Sequence, residues 1–250
     1  MSTFVSIVIP AYKEGEAILP VLDRIVEAVT LPHELLIVVD FPDDPTVAVV
    51  EAYGDDCVRA LVNTYGRGPA NAIRYGIDQA QGSVLVVTMA DGSDDPRQID
   101  DLARLVERGV VVAAASRYSG SGQQVGGPLF KSLMSRMAGL SLGLVGRVGT
   151  RDATNSFKAY SAAFVKEVGI HSRYGFEIGL ELTAKARRLR LPVAELPTIW
   201  LNRAEGESNF KLKQWIPRYL RWWAFAFGRT LTVQQVRGAA ERIEAIKPSK

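Results

Sequence analysis

The sequence predicts an open, mostly parallel α/β sheet with helices on both faces. Two patterns carry that expectation. Through residues 1–125, β-branched runs alternate with segments of helical apolar spacing, as parallel strands joined by crossover helices do. The strand-like runs are apolar throughout rather than alternating, which is how strands buried on both faces read. Composition agrees: 250 residues, 47% hydrophobic and 23% charged, can bury a sizeable core. It excludes a disordered chain, a collagen and a disulfide scaffold.

Val5–Pro10 is the first strand, a β-branched run closed by proline. Residues 17–29 follow with apolar groups at Ile18, Leu19, Leu22, Ile25, Val26 and Val29, a helical spacing. Residues 34–40 form the second strand, 46–53 a short helix and 59–63 a weaker third strand. Residues 68–81 read as a helix with Gly82 as its C-cap. Residues 83–89 are a strand buried on both faces. Residues 96–108 are a helix capped by Asp94 or Asp95, with Pro96 in its first turn. Residues 110–116 are a further strand.

The second half is less regular. Residues 120–127 read as a glycine-rich loop, 130–146 as a helix of small and apolar residues, and 151–160 as a loop entering a strand. Residues 174–189 are an amphipathic helix, 193–200 a strand and 202–210 polar. Residues 212–229 are helical, aromatic and basic. No repeat or interdomain linker is evident, so residues 1–230 are expected to form a single domain. Within it, 211–230 is a helix suited to a membrane interface, and 231–250 is a polar tail, read as a helix from Val233 that ends in disorder.

Charge divides unevenly. Residues 1–125 carry 9 Lys+Arg against 18 Asp+Glu, and residues 126–250 carry 21 against 9. An acidic half suits a metal or ribose hydroxyls, and a basic half suits phosphate groups. The single cysteine, Cys57, excludes an internal disulfide and fits a reducing compartment. It reads as a small buried hydrophobe, and His33 and His171 as structural residues without metal spacing. No run of ~18 apolar residues suits a membrane-crossing helix. The first ten residues lack a signal-peptide pattern, so a cytoplasmic location is expected. No nucleic-acid motif appears.

Ligands on such sheets bind beyond the carboxyl ends of the strands. The polar residues there are Tyr12 and Glu14, Asp40, Asp91 with Ser93, and Arg117. Glycine-rich fingerprints of dinucleotide or P-loop enzymes are absent. Asp40 reads either as a ribose or base contact or as a turn residue. In Met89-Ala90-Asp91-Gly92-Ser93-Asp94-Asp95, crowded carboxylates repel one another unless something offsets them. Helix capping accounts for Asp94 or Asp95, at roughly 0.3–1 kcal/mol per group. It leaves Asp91 at the strand tip, where a hard divalent cation shared with substrate phosphates would fit.

Residues 5–14, the Val39-Asp40 strand end, Gly66-Arg67-Gly68-Pro69-Ala70 and residues 86–91 together resemble the family-2 inverting glycosyltransferases of the GT-A fold. Ser116-Arg117-Tyr118, residues 151–160 and Arg203 with Gly206-Glu207-Ser208 are similar to the dolichol-phosphate mannose synthase group. The resemblance covers residues 4 to about 212. It implies transfer of a sugar from a nucleotide-diphosphate sugar, GDP- or UDP-linked, onto a polyprenyl phosphate. Residue by residue, it implies donor contacts at Pro10, Tyr12, Glu14, Asp40, Ala90, Ser93, Arg203 and Lys211. Mg²⁺ or Mn²⁺ would sit at Asp91 and Ser93, and the acceptor phosphate at Arg117, Lys131 and Ser135. Three positions depart from the pattern. Met89 stands for the first Asp of D-x-D, which leaves two alternatives, a lower metal affinity or Asp94 as a substitute. Phe41-Pro42 replaces an acid and a small turn, and Asn155-Ser156 replaces Ser-Gly.

The catalytic residues expected are Asp91, Arg117 and Asp152. A phosphate-monoester acceptor is anionic near pH 7 and needs no general base. A hydroxyl acceptor, on a cytosolic saccharide for instance, would need one, with Asp152 or Glu177 as candidates. A non-catalytic nucleotide-sugar-binding module is the third reading, prompted by Met89. Trp215, Tyr219, Trp222, Trp223, Phe225 and Phe227 among basic residues suit a membrane surface; packing on the sheet is the other reading. With a polyprenyl phosphate acceptor, the protein would be peripheral on the cytoplasmic face of a membrane.

Overall fold

The computed structural model describes residues 4–126, 129–201 and 212–245. The strands are β1 (Val5–Pro10), β2 (His33–Val39), β3 (Val58–Val62), β4 (Val84–Val87), β5 (Val112–Ser116), β6 (Gln123–Val125), β7 (Lys158–Ser161), β8 (Val193–Pro197) and β9 (Ile199–Leu201). The helices are α1 (Leu19–Ala28), α2 (Pro45–Ala52), α3 (Pro69–Gln79), α4 (Ile99–Glu107), α5 (Leu129–Ser141), α6 (Ala162–Val168), α7 (Ile178–Leu189), α8 (Leu212–Ala226) and α9 (Val233–Ala245).

Among the described residues, seven strands form one sheet in the order β3-β2-β1-β4-β7-β5-β8. Neighbours are parallel except at β7, which runs antiparallel to both β4 and β5. The register keeps apolar rows aligned: Ile7 lies between Leu35 and Val86, and Val8 between Leu36 and Val87. Each face is covered, which is why these strands carry no polar alternation. Leu22 and Ile25 of α1, Val50 of α2 and Leu102 of α4 pack with Ile7 and Ile9 on one side. Ile73 of α3, Phe164 of α6 and Leu182 of α7 pack with Val8 and Leu36 on the other. A third cluster lies beside the sheet, where Trp222 and Ala226 of α8 meet Leu142, Leu180, Ala184 and Ala240.

Several local expectations change. Helix α3 ends at Gln79 with Ala80 extended. Gly82 is therefore not its cap; a Cβ there would lie 2.6 Å from the Phe4 carbonyl. The glycine-rich stretch contains β6, which pairs in parallel with β9. The single strand expected over 193–200 breaks at Thr198, so β8 stays in the main sheet while β9 leaves it. The helix before it begins at Ile178 rather than residue 174. Asp95 caps a 3₁₀ turn, Pro96–Gln98, that leads into α4. The polar helix expected from Val233 is present as α9, but it is not wholly solvated, since Val236 and Ala240 are fully buried.

Most of the described aromatics of α8 turn inward. Trp222 is fully buried, with Tyr219, Trp223 and Phe225 packed around its cluster. Among the described residues, α5 and the π-helical turn after it expose Leu133, Met134, Met137, Leu144 and Val145, and the β6–β9 pair exposes Val125, Ile199 and Leu201. Leu220 and Phe227 join them from α8 and its end. Trp223 Nε1 donates to Ser141 Oγ at 2.9 Å, which ties α8 to α5. Among the described residues, no helix is long and apolar enough to cross a membrane.

Candidate active site

The site lies where the parallel strands end, and each loop there is fixed by its own side chains. After β1 the chain turns through Lys13, whose φ is +56°. Asp44 accepts the Lys13 N–H at 2.9 Å and Thr46 Oγ1 accepts those of Glu14 and Gly15, both at 3.1 Å. This turn leaves Tyr12 exposed beside buried Pro10. After β2, Asp40 accepts from Asn63 Nδ2 at 3.0 Å and from Gly68 N at 2.8 Å. Asp40 thus holds the β3–α3 loop at the sheet end while its two oxygens keep further lone pairs. The Arg67 guanidinium lies 4.3 Å over Phe41, and Phe41 stands 6.3 Å from the Tyr12 ring. Flat groups from three strand ends therefore surround Asp40. Asn63 and Arg67 were not singled out in the sequence, although Asn63 directly follows the third strand.

After β4, Asp91 Oδ1 accepts the Ser93 N–H at 3.1 Å, forming a tight turn. Ala90 and Ser93 are buried beside it. Asp94 turns back towards β4, and its Oδ2 accepts from Thr88 Oγ1 at 2.9 Å and Met89 N at 3.3 Å. Burial pushes its pKa up to about 6, with the Asp91 charge adding to the effect and the Thr88 hydrogen bond opposing it. Met89 lines a small cavity with Val21, Ile25 and Pro96, an environment that suits a thioether.

The donor set at this corner fits a divalent cation shared with a substrate. No group of three or more His, Cys, Asp or Glu that could hold a metal occurs among the described residues. Mg²⁺ needs only one or two protein carboxylates when phosphates complete its shell. Asp91 supplies one, at the turn where its Oδ1 accepts the Ser93 N–H.

After β5, Arg117 meets Asp152 in a bidentate pair. Nε donates to Oδ2 at 2.7 Å and an Nη to Oδ1 at 2.8 Å, while the Arg117 backbone N–H adds a third bond at 3.0 Å. The same Nη reaches Ser135 Oγ on α5 at 3.2 Å. Ser135 is also held by Thr154 Oγ1 at 2.8 Å. Close approach of α5 makes this possible: a Cβ on Gly139 would fall 1.9 Å from the Arg151 carbonyl. Burial alone would raise the Asp152 pKa, but the Arg117 charge and hydrogen bonds outweigh it and hold the carboxyl below the usual range. Asp152 is therefore held as the ionised partner of Arg117. Burial holds Glu177 above the usual carboxylate range, and its Oε2 accepts from Gly175 N at 2.9 Å.

Asp94 and Arg117 act on each other's charge, and the Leu201 N–H donates to the Ser93 carbonyl at 3.2 Å. Helix α5 carries Lys131, whose side chain lies outside the described residues, as do Arg203 and Lys211. Thr154 and Lys158 belong to the site without having been given roles in the sequence.

This architecture is that of a glycosyltransferase of the GT-A class. Solved structures of glucosyl-3-phosphoglycerate synthase from Mycobacterium tuberculosis share it, one of them in complex with Mn²⁺, UDP and glucosyl-3-phosphoglycerate. That structure has a TM-score of 0.69 at 16% identity, covering 92% of this chain and 82% of the other. The chain belongs to glycosyl transferase family 2, whose family profile matches residues 6–169. It is similar to a dolichol-phosphate mannosyltransferase of Pyrococcus furiosus, with 31% identity over 87% of this chain, and spans 62% of that relative's length. An undecaprenyl-phosphate mannosyltransferase of Micrococcus luteus is 29% identical, with 81% of this chain and 85% of the relative covered. A polyprenol monophosphomannose synthase of Mycolicibacterium smegmatis is 27% identical, with 84% and 85% covered.

Proposed function

We propose that this chain transfers a sugar, with inversion, from a nucleotide-diphosphate sugar to a polyprenyl phosphate at the cytoplasmic surface of a membrane. The observation that carries this reading is the Arg117–Asp152–Ser135 arrangement. It offers an anchored guanidinium and a hydroxyl where an acceptor would arrive, beside a carboxylate too strongly held to serve as a base. That combination suits an acceptor that is already an anion. The names of the polyprenol-type relatives support the same acceptor class.

In this reading Pro10, Tyr12, Glu14 and Asp40 hold the nucleoside. Asp91, with Ala90 and Ser93 beside it, would hold Mg²⁺ or Mn²⁺ against the diphosphate. That cation, when bound, neutralises charge growing on the leaving group. Arg203 and Lys211 would add cationic donors over the same diphosphate. Arg117 and Ser135, with Lys131, dock the acceptor phosphate in line with the sugar carbon. The exposed apolar side chains of α5, its π turn and Phe227 face the membrane, where the acceptor's isoprenoid tail resides.

The test is incubation with labelled GDP- and UDP-hexoses and a polyprenyl phosphate, with and without Mn²⁺. The label should pass into the lipid phase only with the metal, and Asp91→Asn should lower that rate by about 100-fold or more. Label appearing on a water-soluble hydroxyl acceptor instead, or full activity in Asp91→Asn, would overturn the reading.

A further inference from the structure

Lys158, on β7, is fully buried although it is a lysine. Its Nζ lies 3.3 Å from the carbonyls of Asp152 and Ala153 and also bonds that of Asn155. Three successive corners of the 152–155 loop thus point their oxygens at one ammonium. The space for it exists because residue 179 is glycine: a Cβ there would sit 3.3 Å from Nζ and 3.1 Å from the Asn155 carbonyl. From its other side the loop is tied to β5, since Asn155 Nδ2 donates to the Ala115 carbonyl at 2.9 Å. The loop carries the two residues that orient the acceptor corner: Asp152, which clamps Arg117, and Thr154, which holds Ser135.

We infer that Lys158 is a positioning residue for the acceptor phosphate, fixing the 152–155 loop so that Asp152 and Thr154 present Arg117 and Ser135 in one geometry. This deepens the function proposed above and rests on it for the identity of the ligand. The charge of Lys158 is part of the design. Burial lowers its pKa to about 8, and the Asp152 carboxylate opposes that shift while Arg117 adds to it. An ammonium enclosed by carbonyl dipoles holds a loop more firmly than an apolar side chain of equal length, because each carbonyl is satisfied by a charged donor.

The experiment compares Lys158→Met, Lys158→Arg and the milder Gly179→Ala, using two readouts. The first is the ¹⁵N–¹H signal of the Arg117 Nε–H, protected in the wild type by its bond to Asp152. The second is KM for a polyprenyl phosphate set against KM for the sugar nucleotide. Lys158→Met should lose the Arg117 signal and raise acceptor KM at least 10-fold, with donor KM within twofold. Lys158→Arg should restore most of both, and Gly179→Ala should shift acceptor KM about threefold in a folded protein. An unchanged Arg117 signal in Lys158→Met, or equal loss of donor and acceptor binding, overturns the inference. Should Lys158→Met not fold, Gly179→Ala decides by the same two readouts. A wild type that never uses polyprenyl phosphate, yet loses the Arg117 signal on substitution, refutes the proposed acceptor while supporting the positioning role.

Discussion

Asp152 has no exposed atom and gives both carboxylate oxygens to Arg117. Replacing it with Asn separates two acceptor chemistries. If Asp152 were a base for a hydroxyl acceptor, Asp152→Asn would abolish turnover and leave acceptor KM unchanged. As the clamp on Arg117, it should raise acceptor KM and leave measurable turnover at saturating acceptor. It should also cost stability, because removing one partner of a buried pair strands the other charge, at about 3–5 kcal/mol. Thermal unfolding and a KM-against-kcat comparison on one preparation check both parts. At this scale the sequence was informative where residue type implies chemistry. Asp91, Asp40 and Arg117 were legible because each follows a buried strand. The turn of Asp94 back to Thr88 was not legible, since it depends on backbone geometry that spacing does not encode.

Helix α7 shows how an element can carry charge through the core. Glu181 and Lys185, one turn apart, are both fully buried and paired. The Glu181 carboxylate also accepts the backbone N–H groups of His171 and Ser172, each at 2.8 Å. Burial would raise its pKa, but the Lys185 charge and these hydrogen bonds bring it down to about 2, against 4.5 for a free side chain. A carboxyl depressed on folding stabilises the native state above its unfolded value, and that contribution is lost as pH falls. The unfolding midpoint should therefore drop between about pH 4.5 and 2, and Glu181→Gln should flatten that dependence while lowering stability at pH 7. Denaturant titrations at several pH values measure it. Periodicity identified α7 as helical but not its interior ion pair, because an amphipathic pattern assigns charged residues to a solvated face. Likewise, β9 leaves the sheet through a break at Thr198 that no composition shift marks.

For the whole molecule, the acidic first half supplies the ends of β1, β2 and β4, and the basic second half supplies α5, α7 and α8. Apolar side chains exposed at Leu144, Val145 and Phe227 continue that second surface. Binding to anionic vesicles should weaken as salt rises, with about 1 kcal/mol from each Lys or Arg near the surface. Leu144→Asp with Val145→Asp should reduce co-sedimentation several-fold at any salt while sugar-nucleotide binding stays intact. Equal co-sedimentation of this variant and the wild type would place the contact elsewhere.

The sequence by itself determined the parallel sheet, the two helical layers and the strand-end carboxylates, because hydrophobic periodicity and residue chemistry are local properties. It also indicated the family, through motifs in a fixed order along the chain. Only the tertiary structure decided that Asp152 pairs with Arg117, that Lys158 bonds the carbonyls of the 152–155 loop, and that Trp222 faces the core. Each of those depends on which distant segment supplies the neighbouring atom. Packing sets that choice, and it cannot be read from one stretch of chain.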